Sequence, residues 1–179
     1  SYRLAGMYRL YQMETDEEKK EDYWKQCETC WQNISDEYSI FEENRTYLLE
    51  RLEREKTEDK RIEQAFAYMH HRTEWADAES NMIFLDYILE QTKGKEKLAA
   101  QEIKALLYRS SCYRNLPGDY KKEAMWDAFA ALKRQKQVKN QDAYLRSLGY
   151  KILASCYREK YSVLDERAEK LQKKCDYFL

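Results

Sequence analysis

Two cysteines, Cys27 and Cys30, come nearest to a chemical site in this 179-residue sequence. Thiols three residues apart share one face of a helix, where they ligate zinc or exchange disulfides. Zinc needs two further ligands, however, and the adjacent His70 and His71 would point about 100° apart on a helix. A redox pair would place a cysteine at a helix N-terminus, whereas both thiols fall late in a helical stretch. We therefore interpret them as small buried hydrophobes, keep them only as weak metal candidates, and expect no cofactor.

Catalytic signatures are missing elsewhere in the sequence. His70 has no serine or cysteine nucleophile that the sequence can place beside it, and catalysis by a nucleophile needs such a partner and an orienting group. The sequence also has no glycine-rich phosphate loop, no His-Glu-x-x-His motif and no calcium loop. We expect a protein that is not an enzyme.

The composition favours long helices with short connections. Charged residues make up 36% and hydrophobic residues 43%, with four glycines and one proline. No apolar run is long enough to cross a bilayer, and five cysteines outside any disulfide framework predict a reduced, cytoplasmic location. No linker divides the chain, so we predict one domain over 1–179. Because the chain begins at Ser1, a fragment of a longer protein is an open alternative.

Charge differs between the two halves of the chain. Residues 1–90 carry a net charge of −10, and residues 91–179 carry +9. Such asymmetry fits contact between the halves or an acidic partner for the basic half. Drift of surface charge along an elongated array is the explanation we favour, and the sequence leaves the alternatives open.

Apolar spacing predicts about nine helices. Thr15 and Asp16 offer an N-cap for the second, Ser35 or Asp36 for the third, and Thr57 for the fourth. A break near 75–77 would precede the fifth helix, and Asn115 to Asp119, with the proline, would end the sixth. The seventh helix has the apolar set Ala124, Met125, Ala128, Phe129 and Leu132, and the ninth has Leu164, Ala168, Leu171 and Cys175.

The tetrapeptide Ser-Cys-Tyr-Arg occurs at 111–114 and again at 155–158, each copy near the end of an amphipathic segment. The segments 98–134 and 142–176 that contain these copies resemble tetratricopeptide repeats. The residues that carry the resemblance are, in the first pair, Leu106, Ser110, Tyr113, Gly118, Tyr120, Ala124 and Ala128, and in the second Leu148, Gly149, Ile152, Tyr157, Tyr161 and Ala168. The two tetrapeptides are 44 residues apart rather than the 34 of regular repeats, so the array would be a divergent one.

The resemblance implies an all-α fold, a right-handed stack of antiparallel helical hairpins of the α-solenoid type. A closed helical bundle is the alternative. In such arrays the first helix of each hairpin lines a concave groove, which would make the chain a protein- or peptide-binding scaffold. The partner-binding residues are then Tyr108, Arg109, Arg114, Tyr150, Lys151 and Arg158.

Arg114 and Arg158 occupy equivalent places in the two copies, so they would clamp an acidic group or a C-terminal carboxylate. Ion pairs with Asp119, Glu123 or Glu159 are the equally weighted alternative for these arginines. Other functions left open are a sensing or dimerisation module of a bacterial transcription regulator, which would form a homodimer, a single-stranded nucleic-acid binder, and a metal or redox protein. The charge balance favours a protein or peptide over nucleic acid as the partner.

Overall fold

The computed structural model describes residues 2–33, 42–69, 75–139, 142–162 and 164–178, and all of their regular structure is helical. These residues form nine α-helices and one 3-10 turn at Glu96–Leu98. The helices are α1 (Tyr2–Met13), α2 (Glu17–Gln32), α3 (Glu42–Glu53), α4 (Glu58–Ala67), α5 (Trp75–Thr92), α6 (Ala99–Asn115), α7 (Lys121–Gln135), α8 (Ala143–Lys160) and α9 (Glu166–Tyr177). The all-α prediction and the helix number are thus confirmed for the described part of the chain.

Packing divides the chain into two compact units. Unit 1 is Ser1–Thr57, with α1 to α3, and unit 2 is Glu58–Leu179, with α4 to α9. The single domain expected over 1–179 stays a prediction.

Local signals explain most helix boundaries. The Asp16 carboxylate accepts hydrogen bonds from the backbone N–H groups of Glu18 and Lys19, which confirms the predicted cap of α2. Gly94, two residues beyond α5, has φ of +72°, a conformation that favours glycine. The predicted break at 75–77 is wrong, because α5 already begins at Trp75. The predicted third-helix start at 35–36, and both histidines, lie outside the described residues.

Unit 1 has an aromatic core. Four aromatic side chains are buried there: Tyr8 and Tyr11 of α1, Trp24 of α2 and Tyr47 of α3. The ring centroids of the contacting pairs lie 5.2–5.7 Å apart. The hydroxyls of Tyr8 and Tyr11 donate hydrogen bonds to the Glu50 carboxylate of α3. Buried phenols need such acceptors, so this network specifies how the three helices pack.

A carboxylate from α2 completes the same core. The Tyr47 hydroxyl donates to Glu28 at 2.6 Å, and the Arg51 Nε donates to the same carboxylate at 2.9 Å. Burial, followed by the hydrogen bond to Glu28, raises the pKa of Tyr47 well above its ordinary value.

Unit 2 packs its helices mainly as neighbours in sequence. Each of α4 to α8 contacts the next helix, and α6 also contacts α8. The shared core alternates large and small side chains: Ile103 and Leu107 of α6 meet Ala124 and Ala128 of α7, whose side chains are fully buried. Small residues facing large ones allow close helix approach, as expected from the sequence.

Two apolar residues predicted for buried stripes are exposed instead. Phe129 is 45% exposed, on the outer side of α7. Leu164 is 89% exposed, and it precedes α9 because Asp165 caps that helix and its first residue is Glu166. Within the described residues, no helix combines the length and apolarity that crossing a bilayer requires.

Candidate partner-binding surface

Tyr108 of α6 contacts a side chain of α4 and one of its own helix. The Phe66 ring of α4 meets Tyr108 edge-on, with centroids 6.4 Å apart. The Lys104 Nζ lies 4.6 Å from the Phe66 centroid and 5.4 Å from that of Tyr108. Lys104 and Tyr108 share a face of α6 because they are four residues apart. An ammonium group over two aromatic rings is an attractive cation–π arrangement.

The surface continues onto α8 through Tyr144. Burial raises the pKa of Tyr108, and the nearby Tyr144 hydroxyl and Asp142 carboxylate raise it further. Tyr144 itself is 63% exposed. Phe66 and Tyr108 are thus in contact, and Tyr144 is near enough to Tyr108 to raise its pKa.

Two cations continue the Tyr144 face towards the C-terminal end of α8. Lys151 and Arg158 follow Tyr144 at spacings of seven and fourteen residues, so all three lie on one side of the helix. Lys151 is exposed and Arg158 is half-buried. Neither side chain forms an ion pair with another described residue. Their charge is therefore available to a ligand.

Arg114 joins the two copies of the repeated tetrapeptide. Its Nη2 donates to Ser155 Oγ at 3.1 Å and to Glu159 Oε1 at 2.8 Å, so the arginine of the first copy binds the serine of the second. The pairing with Glu159 considered from the sequence is therefore present. Both hydrogen bonds use one nitrogen of the guanidinium group.

Arg109 binds within unit 2. Its Nε and Nη2 donate to the two carboxylate oxygens of Asp127 at 2.7 and 2.9 Å, and its Nη1 donates to Asp86 at 2.7 Å. The hydrogen bond to Asp127 is the largest cause of a pKa for Arg109 above its ordinary value. The guanidinium group thus ties α6 to α5 and α7.

Tyr150 packs towards the end of the chain. Its ring stacks on Phe178 with centroids 6.0 Å apart and planes 12° apart, and the Lys174 Nζ lies 5.5 Å from the Tyr150 centroid. The structure therefore places Tyr108, Arg114, Lys151 and Arg158 on α6 and α8, whereas Arg109 contacts α5 and α7, and Tyr150 contacts α9 and Phe178.

Three members of this surface, Phe66, Lys104 and Tyr144, were missed from the sequence. The spacing of Lys104 and Tyr108 was available as a signal, as was the seven-residue step from Tyr144 to Lys151. Phe66 had no such signal, because its contact with Tyr108 joins helices far apart in sequence.

The two cysteines of α2 have different surroundings. Cys27 is fully buried, and burial raises the pKa of its thiol to about 12, with smaller contributions from Cys30 and Glu28. Cys30 is half-buried and borders a cavity of about 300 Å³ lined by Arg3, Leu4, Met7, Gln26, Thr29, Cys30 and Asn33. No group of three or more His, Cys, Asp or Glu side chains in the described residues is arranged to hold a metal ion.

Thiol labelling should distinguish these cysteines. In native protein at pH 8, we expect Ellman's reagent to modify one thiol rapidly, because Cys30 is accessible while Cys27, Cys112, Cys156 and Cys175 are buried. A pKa of about 12 leaves roughly one Cys27 side chain in ten thousand as thiolate at that pH. Cys30→Ser should remove the fast phase, which absorbance at 412 nm measures, and Cys27→Ser should leave it. A fast phase that survives Cys30→Ser would contradict this assignment.

The fold and the surface define the class of this protein as an all-α chain whose helices pack mainly against their neighbours in sequence. Comparison of the chain with protein families, with curated proteins and with solved structures finds no match. Its function must therefore be argued from its own residues.

Proposed function

We propose that unit 2 is a non-enzymatic module that binds a protein segment or peptide across α4, α6 and α8. One observation carries the proposal: Phe66 of α4 contacts Tyr108 of α6, and α6 packs against α8, which carries Tyr144 and two cations, Lys151 and Arg158, that form no ion pair with described residues. An enzyme would also need reacting groups at such a surface, and these side chains offer only contact and charge.

The proposal includes the hairpin stack that the tetratricopeptide resemblance implies. The hairpins would be α4–α5, α6–α7 and α8–α9, with α4, α6 and α8 as their first helices. The contact between α6 and α8 supports this arrangement, since first helices of successive hairpins lie side by side in such stacks. The edge-on contact of Phe66 with Tyr108 extends the same relation to α4.

The chemistry of the surface favours an acidic ligand. Lys104, Lys151 and Arg158 form no ion pair with described residues, and Arg114 hydrogen-bonds through Nη2 alone. Carboxylates of a peptide would accept hydrogen bonds from these cationic groups. The tyrosine rings would supply contact area with few rotatable bonds. Arg109 and Tyr150 are assigned to packing between helices, because their partners lie on α5, α7 and the α9 end.

Peptide display tests this function. We expect the full chain to select acidic sequences from random twelve-residue peptides on phage, because the unpaired charges of the surface are positive. Lys151→Glu with Arg158→Glu should weaken binding of a selected peptide at least tenfold by fluorescence anisotropy, with the helical circular dichroism unchanged.

A matched control reverses two cations elsewhere. Lys170→Glu with Lys173→Glu on α9 makes the same charge change at exposed side chains in weak pairs with Glu166 and Glu169. This control should keep the affinity of the wild type. Equal affinity of the Lys151/Arg158 variant and the wild type would exclude the surface as the binding site.

A further inference from the structure

The outer side of α7 carries two large exposed aromatic residues. Trp126 is 70% exposed and Phe129 is 45% exposed, while Ala124, Ala128 and Ala131 on the inner side are fully buried. Aromatic residues displayed together on a helix are unusual outside interaction sites, and tryptophan is enriched among the residues that dominate binding energy. This face belongs to a different helix from the surface across α4, α6 and α8.

Spacing along this face matches a helix-packing seam. The exposed residues Lys122, Trp126, Phe129 and Lys133 follow one another at steps of four, three and four. This is the alternation by which one helix packs lengthwise against another. From 122 to 133 it covers about three turns and roughly 16 Å of helix.

Positive charge surrounds the aromatic pair. Lys122, Lys133 and Lys136 are exposed and form no ion pair with described residues. Asp127 and Arg134 of α7 are engaged, since Asp127 binds Arg109 and Arg134 binds Glu96 and Glu102. The carboxylate of Glu123 is half-buried, so the exposed charge on the outer side of α7 is cationic.

We propose that the face formed by Lys122, Trp126, Phe129 and Lys133 binds an acidic amphipathic helix of another protein. Aliphatic side chains of that helix pack on Trp126 and Phe129, and its flanking carboxylates meet the two lysines. A second copy of this chain fits poorly, because two-fold pairing of the same face would bring lysine against lysine. Nucleic acid is disfavoured by a chain whose net charge is −1.

Two synthetic 18-residue peptides test the proposal. Both peptides carry leucines spaced alternately four and three residues apart. They differ only in the charged residues that flank the leucines, which are glutamate in the acidic peptide and lysine in the basic one. By fluorescence anisotropy with the full chain, the acidic peptide should bind at least tenfold more tightly than the basic one. Trp126→Ala with Phe129→Ala should weaken that binding at least tenfold. Lys122→Glu with Lys133→Glu should reverse the preference to the basic peptide.

Control variants separate this proposal from the binding function of α4, α6 and α8. Lys170→Glu with Lys173→Glu on α9 should retain the wild-type affinity for the acidic helical peptide. Trp126→Ala with Phe129→Ala should retain the affinity for a displayed peptide whose binding requires Lys151 and Arg158, so failure at one surface is distinguishable from failure at the other. Circular dichroism checks the fold of each variant. If Trp126→Ala with Phe129→Ala loses helicity, the result for Lys122→Glu with Lys133→Glu decides the test.

Three outcomes would overturn the proposal. In the first, the acidic peptide binds the charge-reversed and aromatic variants as tightly as the wild type. In the second, sedimentation shows a dimer that requires Trp126 and excludes the peptide, which would make this face a contact between copies. In the third, a twenty-residue oligothymidylate binds, requires Trp126 and displaces the peptide, which would assign the face to nucleic acid.

Discussion

Replacing Arg109 by alanine should lower the free energy of unfolding by about 3 kcal/mol, measured by urea denaturation. The substitution leaves Asp127 without its two charge-assisted hydrogen bonds, in a side chain that is only 10% exposed. It also removes the hydrogen bond to Asp86 of α5, while α6 keeps other hydrogen bonds to α7 through Ser110 and Glu102. The large cost comes from an uncompensated carboxylate in a poorly hydrated place.

The paired replacement Arg109→Met with Asp127→Leu should recover most of this loss, because it removes both charges together. Lys173→Ala provides the contrast, since its pair with Glu169 is largely exposed and contributes little to stability. If Arg109→Ala were no more destabilising than Lys173→Ala, the three-helix bridge would contribute little to stability.

Gly149→Leu should destabilise the protein by about 2–3 kcal/mol. A Cβ atom at Gly149 would lie 3.0 Å from Cγ and Cδ2 of Leu132 and 3.3 Å from Cδ2 of Leu107. Glycine thus permits α8 to approach α6 and α7 at a point where any larger residue must displace their leucines. Thermal unfolding followed by circular dichroism at 222 nm measures the effect.

The same substitution at Gly6 is the matched control. A Cβ atom there would meet nothing within 4 Å, so Gly6→Leu should raise stability by about 0.5–1 kcal/mol through helix propensity. Combining Gly149→Leu with Leu132→Ala should restore part of the lost stability. A Gly149→Leu protein as stable as the wild type would show that the close approach is not required.

Helices were predictable from the sequence because local signals determine them. The Asp16 cap and the Pro117 turn marked real boundaries, and apolar spacing identified α6 and α7. Phe129 was misplaced because hydrophobicity alone does not tell a core residue from an exposed aromatic one. Its position relative to Ala128, one step of about 100° away, decides which side of α7 it occupies.

The candidate site was predictable only in part. Tyr108, Arg114, Lys151 and Arg158 were predicted because the repeated tetrapeptide indicated the first helices of two hairpins, and as site residues they remain predictions. Whether an arginine reaches a ligand or a neighbouring carboxylate depends on tertiary contacts, and Asp127 lies 18 residues from Arg109. The regulator alternative, the homodimer, the cytoplasmic location and the contact between acidic and basic halves remain predictions.

Sequential packing in unit 2 also bears on how the protein folds. Since each helix touches mainly its chain neighbours, most loops that must close are short, which favours rapid folding and opening in steps. We expect α8 and α9 to separate in one such step while α5 to α7 stay assembled. A ligand lying across α4, α6 and α8 would contact helices that unfold in different steps. Its binding would stabilise these helices together and make the unfolding of unit 2 more cooperative.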